Sequence, residues 1–260
     1  KRQAWGYPVT SGLPTIDYYL SSDLMEPENA EKHYSEKLIR LPNLGFSYAK
    51  PSIPEERKNR DYFQLQNDAV VYFSGQSLFK YRPEYDYIFP TIALRVPQAQ
   101  FTFILERCSL INDQFQQRIK RAFQQFNLDS DRYCVMLKKL NRSEYVNLNL
   151  LSDIFLDSFS WSGGNTTLEA LACNLPVVTC PGEFMRGRHS YGILKMLGVT
   201  ETIAKNEEEY INIAVKLGLD RESRQRIAQL LQQRHSYLYD DKTCVAALEA
   251  FYHQVVKETK

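Results

Sequence analysis

The sequence predicts an α/β protein built on a mostly parallel, doubly wound sheet. Three observations carry that expectation. From residue 69 onward, strand-like runs alternate with helical-period segments of about 10–15 residues, which is the signature of βαβ units. The first of those runs, AVVYFSG (69–75), is apolar almost throughout, as a strand covered on both faces is. The chain has 260 residues, 43% of them hydrophobic, enough for one large domain or for one domain plus part of another.

Each element then follows in order. PEYDYIFPTIALRV (83–96) reads as a helix interrupted by Pro90. FTFILER (101–107) is a strand. INDQFQQRIKRAFQQF (111–126) sets Phe115, Ile119, Ala122, Phe123 and Phe126 at helical spacing. YCVMLKK (133–139) is a strand. RSEYVNLNLLSD (142–153) is a short helix with Ser143 placed to cap it. IFLDS (154–158) is a strand, TTLEALACN (166–174) a helix, PVVTCP (176–181) a strand, and SYGILKMLG (190–198) a helix stopped by glycine. EEEYINIAVKLGLD, ESRQRIAQLLQQRHSYL and TCVAALEAFYHQVVKE close the chain as three helices. Upstream, TIDYYLSS and KLIRLP read as strands around a short helix near 27–34. The polar stretch around 47–67, with two prolines and no period, reads as a linker.

The expected organisation is therefore a C-terminal remnant of a preceding domain over 1–50, a linker over 51–68, a ligand-binding domain over 69–240, and a terminal helix over 241–260. The chain opens Lys1-Arg2-Gln3-Ala4-Trp5, without Met or a signal peptide, and reads as an internal stretch of a longer protein. No repeat of solenoid period is present.

Composition excludes several classes. With 32 basic and 31 acidic residues, the net charge of +1 does not mark a nucleic-acid binder. No apolar run approaches the ~20 residues that cross a bilayer. Five cysteines, an odd number without a Cys-x-x-Cys pair, read as buried thiols in a reducing compartment, the cytoplasm. The four histidines have no metal-ligand spacing, so neither a metal nor a cofactor is expected.

In a doubly wound sheet, ligands bind beyond the carboxyl ends of the strands. That points to the loops at 74–82, 106–110, 139–145 and 158–166. In SWSGGNTTLEALACN, Gly163 and Gly164 turn the chain just before Thr166 and Thr167 open a helix. The first amides of a helix lack partners and face the positive end of its dipole, so they can hold a phosphate. The threonine hydroxyls add donors, and glycine lets a diphosphate come close to the backbone. Glu169, placed on the first helical turn, suits the dipole and could also accept from a ribose diol. As a bare pattern, a capped turn explains the segment equally well. SGQSLFK (74–80) brings Lys80, a point charge for a departing phosphate or an ordinary surface lysine. Arg142 and Tyr145, three apart at a helix start, share a face that either meets a base or is simply exposed. There is no Gly-Lys-Ser/Thr, which disfavours a P-loop kinase or ATPase.

WGYPVTSGLPTIDYYLSSD, VYFSGQSLFK, LNRSEYVNLNLLSDIFLDSFSWSGGNTTLEALACNLPVVTCPGE and TETIAKNEEEYINIAVKLGLD carry a further signal. Colinear over nearly the whole chain and weakest at 43–68, they resemble the C-terminal catalytic region of the O-linked N-acetylglucosamine transferases and their SPINDLY-type relatives. The likeness is greatest to the bacterial members fused to tetratricopeptide repeats. It implies a GT-B fold of two Rossmann-like domains around a nucleotide-sugar, with 69–240 as the donor-binding domain. It also implies that the terminal helix packs back towards the first domain. By this resemblance Lys80 contacts the donor diphosphate and stabilises the leaving nucleoside diphosphate, Thr166 and Thr167 bind the diphosphate, and Glu169, once a one-residue gap is allowed, falls at the position of an acidic ribose ligand. Arg142 and Tyr145 lie near the base. Trp5, Gly6, Phe79, Ser162 and Asn165 align with the sugar-pocket wall. The chain departs from the pattern at Asn165, in place of a histidine, at Ser162, in place of a cysteine, and at Tyr145, in place of a base-stacking histidine. Ser77 holds the position of a donor-contacting glutamine, with Gln76 one place earlier.

The implied activity is inverting transfer of a sugar, N-acetylglucosamine from UDP-GlcNAc, to Ser or Thr of proteins, without a metal. The implied partners are the nucleotide-sugar, a protein or peptide acceptor, and an upstream catalytic domain with tetratricopeptide repeats on the same polypeptide, with neither nucleic acid nor membrane. Transfer from a GDP-sugar, N-linked glucosyl transfer, nucleotide-sugar epimerisation and a non-catalytic donor-binding module remain alternatives. No general base is assigned; His189 in RGRH lies near enough to the donor edge only for a supporting role.

Overall fold

The protein is described by a computed structural model that covers residues 1–4 and 6–258; Trp5, aligned above with the sugar pocket, lies outside the described residues. Among the described residues, eight strands form two parallel sheets. The smaller consists of β1 (Arg2–Ala4), β2 (Tyr18–Ser22) and β3 (Lys37–Leu41), in that order. The larger contains β4 (Val70–Phe73), β5 (Ala99–Ile104), β6 (Cys134–Leu137), β7 (Ile154–Leu156) and β8 (Val177–Val178). Its order is β6-β5-β4-β7-β8, so the chain winds one way from β4 and then returns to the other side of it. The crevice between the ends of β4 and β7 is the topological switch point, where such sheets bind ligands.

The helices that cover the sheet are α1 (Ile88–Arg95), α2 (Ser109–Gln125), α3 (Ser130–Tyr133), α4 (Arg142–Leu151), α5 (Asn165–Ala172), α6 (His189–Leu197), α7 (Glu207–Leu219) and α8 (Arg221–Leu238). A last helix, α9 (Thr243–Glu258), lies on the small sheet. There Phe251 meets Tyr18 edge-on at 5.2 Å and the Arg2 guanidinium sits 4.0 Å above the Tyr252 ring. The core is a continuous aromatic and aliphatic cluster. Phe101 and Phe103 on β5 meet Phe123 and Phe115 on α2, Tyr72 stacks on Phe101, and Phe73 meets Phe155 edge-on, all fully buried. Sulfur plays no cross-linking part: all five cysteines are free, and Cys108 is exposed rather than buried.

Three local expectations need correction. Pro90 does not interrupt a helix: α1 begins at Ile88, so the proline stands in the first turn, where no amide donor is needed. The cap of α4 is Asn141, not Ser143. Its side chain accepts from the Glu144 amide at 3.0 Å while the Glu144 carboxylate accepts from the Asn141 amide at 2.8 Å, a reciprocal capping box. The stretch expected as a linker is fastened down. Phe63 and Leu65 are buried, Arg60 donates to the Ala69 carbonyl at 2.8 Å, and it pairs with Asp153 at 3.2 Å.

Candidate active site

The crevice at the switch point has one wall from the β7–α5 loop and the other from the loop after β4. The first wall is organised by Asp157, the residue that follows β7. Its buried carboxylate accepts from the Gly163 amide at 2.7 Å, the Ser162 hydroxyl at 2.6 Å and the Thr179 hydroxyl at 2.7 Å. Burial pushes the Asp157 carboxyl above its usual range, while those three donors work in the opposite direction. Ser162 also contacts the Ser190 hydroxyl at 2.9 Å, and Ser190 shares a hydrogen bond with the Thr167 hydroxyl at 2.7 Å. Upstream in the same loop, Phe159 is stacked on Tyr85 with centroids 4.4 Å apart and lies 4.7 Å from the Tyr210 ring.

These bonds aim the start of α5 at the crevice. Its first intrahelical bond runs from Leu168 N–H to the Gly164 carbonyl at 3.1 Å, so the amides of Asn165, Thr166 and Thr167 precede the ladder. Gly163 is the glycine that geometry demands. A Cβ there would stand 2.5 Å from the Thr166 hydroxyl oxygen and 2.6 Å from that of Thr167, whereas one at Gly164 would meet only His189, at 3.8 Å.

The second wall carries the charge. Lys80 Nζ donates to Gln76 Oε1 at 3.2 Å and lies 5.3 Å from the centroid of the Trp161 ring, across the crevice. Gln76 Nε2 lies 3.4 Å from the Thr166 hydroxyl, so the one amide side chain touches both walls. Partial burial lowers the Lys80 ammonium below its ordinary value; the negative charges of Asp157 and Glu106 oppose that shift.

The expected site residues therefore separate into groups. Lys80, Gln76, Gly163, Gly164 and Thr166 converge, with Asn165 exposed at the rim. Phe79 is 67% exposed beside Lys80. Of the two positions offered for the glutamine, Gln76 reaches the crevice contacts; Ser77 is half-exposed at the start of the turn at Leu78–Lys80. Thr167 and Ser162 are placed differently from the expectation. Both are buried with their hydroxyls engaged by Ser190 and Asp157, so Thr166 alone offers a threonine hydroxyl to the crevice. Glu169 is the fifth residue of α5, past its first turn, half-buried, with its carboxyl raised by burial and stabilised by the charge of Arg142. Arg142 and Tyr145, about one turn apart on α4, differ in exposure. Arg142 is exposed, whereas Tyr145 turns inward, 5.3 Å from the Phe73 ring, with its hydroxyl buried and unpartnered beside Gly75. Gly6 is exposed, with open space where a Cβ would stand.

Sequence reading missed Trp161 and Asp157. Trp161 had a signal, an aromatic residue two places before the glycine pair. Asp157 closes the strand IFLDS in an ordinary way, and only the folded loop reveals its three donors.

A Rossmann-like sheet with a lysine and a helix N-terminus facing each other at its switch point narrows the possibilities, and comparison with known proteins decides among them. Residues 54–248 match the model of glycosyl transferase family 41. The chain belongs to that family. It is 30% identical over 253 residues to the probable UDP-N-acetylglucosamine–peptide N-acetylglucosaminyltransferase SPINDLY of Solanum lycopersicum, an alignment that covers 96% of this chain and 27% of that protein. It is 26% identical over 259 residues to the corresponding probable enzyme SEC of Arabidopsis thaliana, covering 96% and 26%. The structure superposes on a mutant O-GlcNAc transferase of Thermobaculum terrenum with a TM-score of 0.84 at 25% identity, over 97% of this chain and 47% of that one, which fixes the fold as GT-B type. The pneumococcal O-GlcNAc transferase GtfA, solved with UDP and GlcNAc, shares the fold at 11% identity, with a TM-score of 0.51 over 92% and 45%. This family 41 chain spans about a quarter of the length of the curated relatives it matches. Among the described residues no helix is long and apolar enough to cross a membrane.

Proposed function

We propose that this family 41 chain is the donor-binding half of an inverting glycosyltransferase that moves N-acetylglucosamine from UDP-GlcNAc to Ser or Thr of proteins. The observation that carries the reading is the convergence of Lys80, Gln76 and Thr166 on the start of α5. In the proposed reaction an acceptor hydroxyl attacks the anomeric carbon, the bond to the diphosphate oxygen breaks, and negative charge grows on the leaving group. The free amides of α5 and the Thr166 hydroxyl are donors already aimed at that charge, so they stabilise the transition state without reorganising, and the Lys80 ammonium on the facing wall swings in to supply the positive charge. The reading assigns the leaving group to these groups alone, without metal or cofactor. Glu169 and Arg142, at the α4–α5 side, are proposed to face the nucleoside, and Phe79 and Asn165 the sugar.

The partners proposed with it are a protein or peptide acceptor, an upstream catalytic domain and tetratricopeptide repeats on the same polypeptide. Five free cysteines support a reducing compartment, the cytoplasm. Calorimetry of the chain with UDP, GDP and their sugars tests the reading: UDP and UDP-GlcNAc are expected to bind more tightly than the guanosine pair. A preference for GDP would move the donor to a GDP-sugar, and no binding of any nucleotide would defeat the donor-site reading. Peptide mapping of products of the full-length enzyme then separates transfer to Ser/Thr from transfer to Asn.

A further inference from the structure

Asp157 is a buried carboxylate that the proposed chemistry does not use. It is 3% exposed at the end of β7, and its hydrogen bonds come from neutral donors: the Gly163 amide, the Ser162 hydroxyl and the Thr179 hydroxyl. A buried carboxylate without a bonded cation is an expensive way to hold a fold together, because it gives up hydration that neutral donors only partly replace. Three features of its surroundings show what it holds. The Gly163 amide it accepts from belongs to the residue whose Cα faces both threonine hydroxyls. The Ser162 hydroxyl it accepts from is also bonded by the Ser190 amide at 2.8 Å, which ties the start of α6 to the same turn. Its own backbone is fixed on both sides, the amide to the Val178 carbonyl at 3.0 Å and the carbonyl by the Tyr210 hydroxyl at 2.8 Å.

From this network we infer that Asp157 is a positioning residue for the donor: without touching the ligand, it fixes the Gly163–Gly164 turn so that the first amides of α5 and the Thr166 hydroxyl meet the diphosphate. A carboxylate suits this position because it accepts at both oxygens and donates at neither. An amide in the same place keeps the shape but turns an NH₂ group towards at least one of the three donors, and the turn is no longer pinned from both sides. The inference rests on the donor-site reading above. It adds a separable consequence, since the ionised carboxylate costs stability while it serves binding.

The test is calorimetry of UDP binding to the wild type, to Asp157→Asn and to Thr179→Val, alongside thermal melting of each. Asp157→Asn is expected to lower UDP affinity about tenfold or more while its melting temperature stays level or rises. Thr179→Val removes one donor on the far side of the carboxylate, in a side chain that is fully buried, and is expected to weaken UDP severalfold. Affinity in both variants equal to wild type overturns the inference and leaves the donor-site reading standing. Loss of folding in Asp157→Asn, together with normal UDP affinity in Thr179→Val, also overturns it, because the carboxylate would then serve the fold alone. A wild type that binds neither UDP nor GDP defeats the donor-site reading and this inference with it.

Discussion

The two walls of the crevice are built on opposite principles. On the β7–α5 side Asp157, Ser162, Thr179, Ser190 and Thr167 form one buried network of paired groups behind the turn. On the β4 side Lys80 is held by a single amide oxygen and an aromatic face, and Phe79 beside it is largely exposed. The contrast teaches a division of labour. Amides must be aimed in advance, because a donor that reorganises during the reaction loses most of its catalytic effect. A lysine ammonium is a rotatable point charge on a flexible stem and can follow the leaving group as charge develops. On the proposed reading, the first wall supplies direction and the second supplies charge.

That comparison can be broken from either side, and the expected effects differ in size. The largest belongs to the charged wall. Lys80→Ala should lower transfer by the full-length enzyme by ~10²–10³, the usual consequence of removing one such contact, with a smaller change in donor affinity; steady-state kinetics against donor concentration check this. Gly163→Ala attacks the aimed wall. The added methyl would stand 2.5 Å from the Thr166 hydroxyl oxygen, so the turn must shift, and UDP affinity measured by calorimetry should fall by at least tenfold. Gln76→Ala removes the contact shared by both walls. It should cost only severalfold in affinity, since a hydrogen bond of this kind contributes about 1 kcal/mol and the one to Thr166 is long at 3.4 Å.

A separate effect, on stability rather than on binding or transfer, concerns His189, at the start of α6 against Gly164. Burial, with the positive charge of Lys80, holds its imidazole down at about 4, against an ordinary value of 6.5; a hydrogen bond with the Ser162 backbone acts in the other direction. In the window between those values the unfolded chain takes up a proton that the folded chain refuses. The stability this contributes is therefore complete above about pH 6.5 and lost as pH falls towards about 4. Melting curves of wild type and His189→Phe over that range should show a steeper acid decline in the wild type, and parallel curves would remove His189 from the account.

Much of the fold was legible because a parallel sheet covered on both faces leaves apolar runs such as AVVYFSG that no half-exposed strand resembles. The strand β1 was not legible. Arg2, Gln3 and Ala4 carry no β signal, and they pair only because β2 lies beside them. The cap of α4 was misplaced by two residues because Asn141 and Ser143 are both good caps locally, and Glu144 three places after Asn141 decides between them. At the site, the placement of Gly163, Gly164, Thr166 and Lys80 on loops at one edge of the sheet was readable from the element order, while their proposed roles came from the family resemblance alone. Side-chain direction was not readable. Thr167 follows Thr166 by one residue, about 100° around the helix, and that rotation takes its hydroxyl from the crevice to Ser190. Tyr145 turns inward for a similar reason, since Gly75 leaves room that a Cβ would fill. Asp157 was invisible because its three partners are five or more residues away and meet only in the folded loop.

The central claim is that the amides opening α5 and the Lys80 ammonium close on a diphosphate from the two walls. A crystal structure of the chain soaked with UDP tests it most directly. The account predicts the diphosphate against the Asn165–Thr167 amides, with Lys80 Nζ transferred from Gln76 to a phosphate oxygen. An empty crevice at saturating UDP, or a bound nucleotide with Lys80 still on Gln76 and turned from the phosphates, would contradict it.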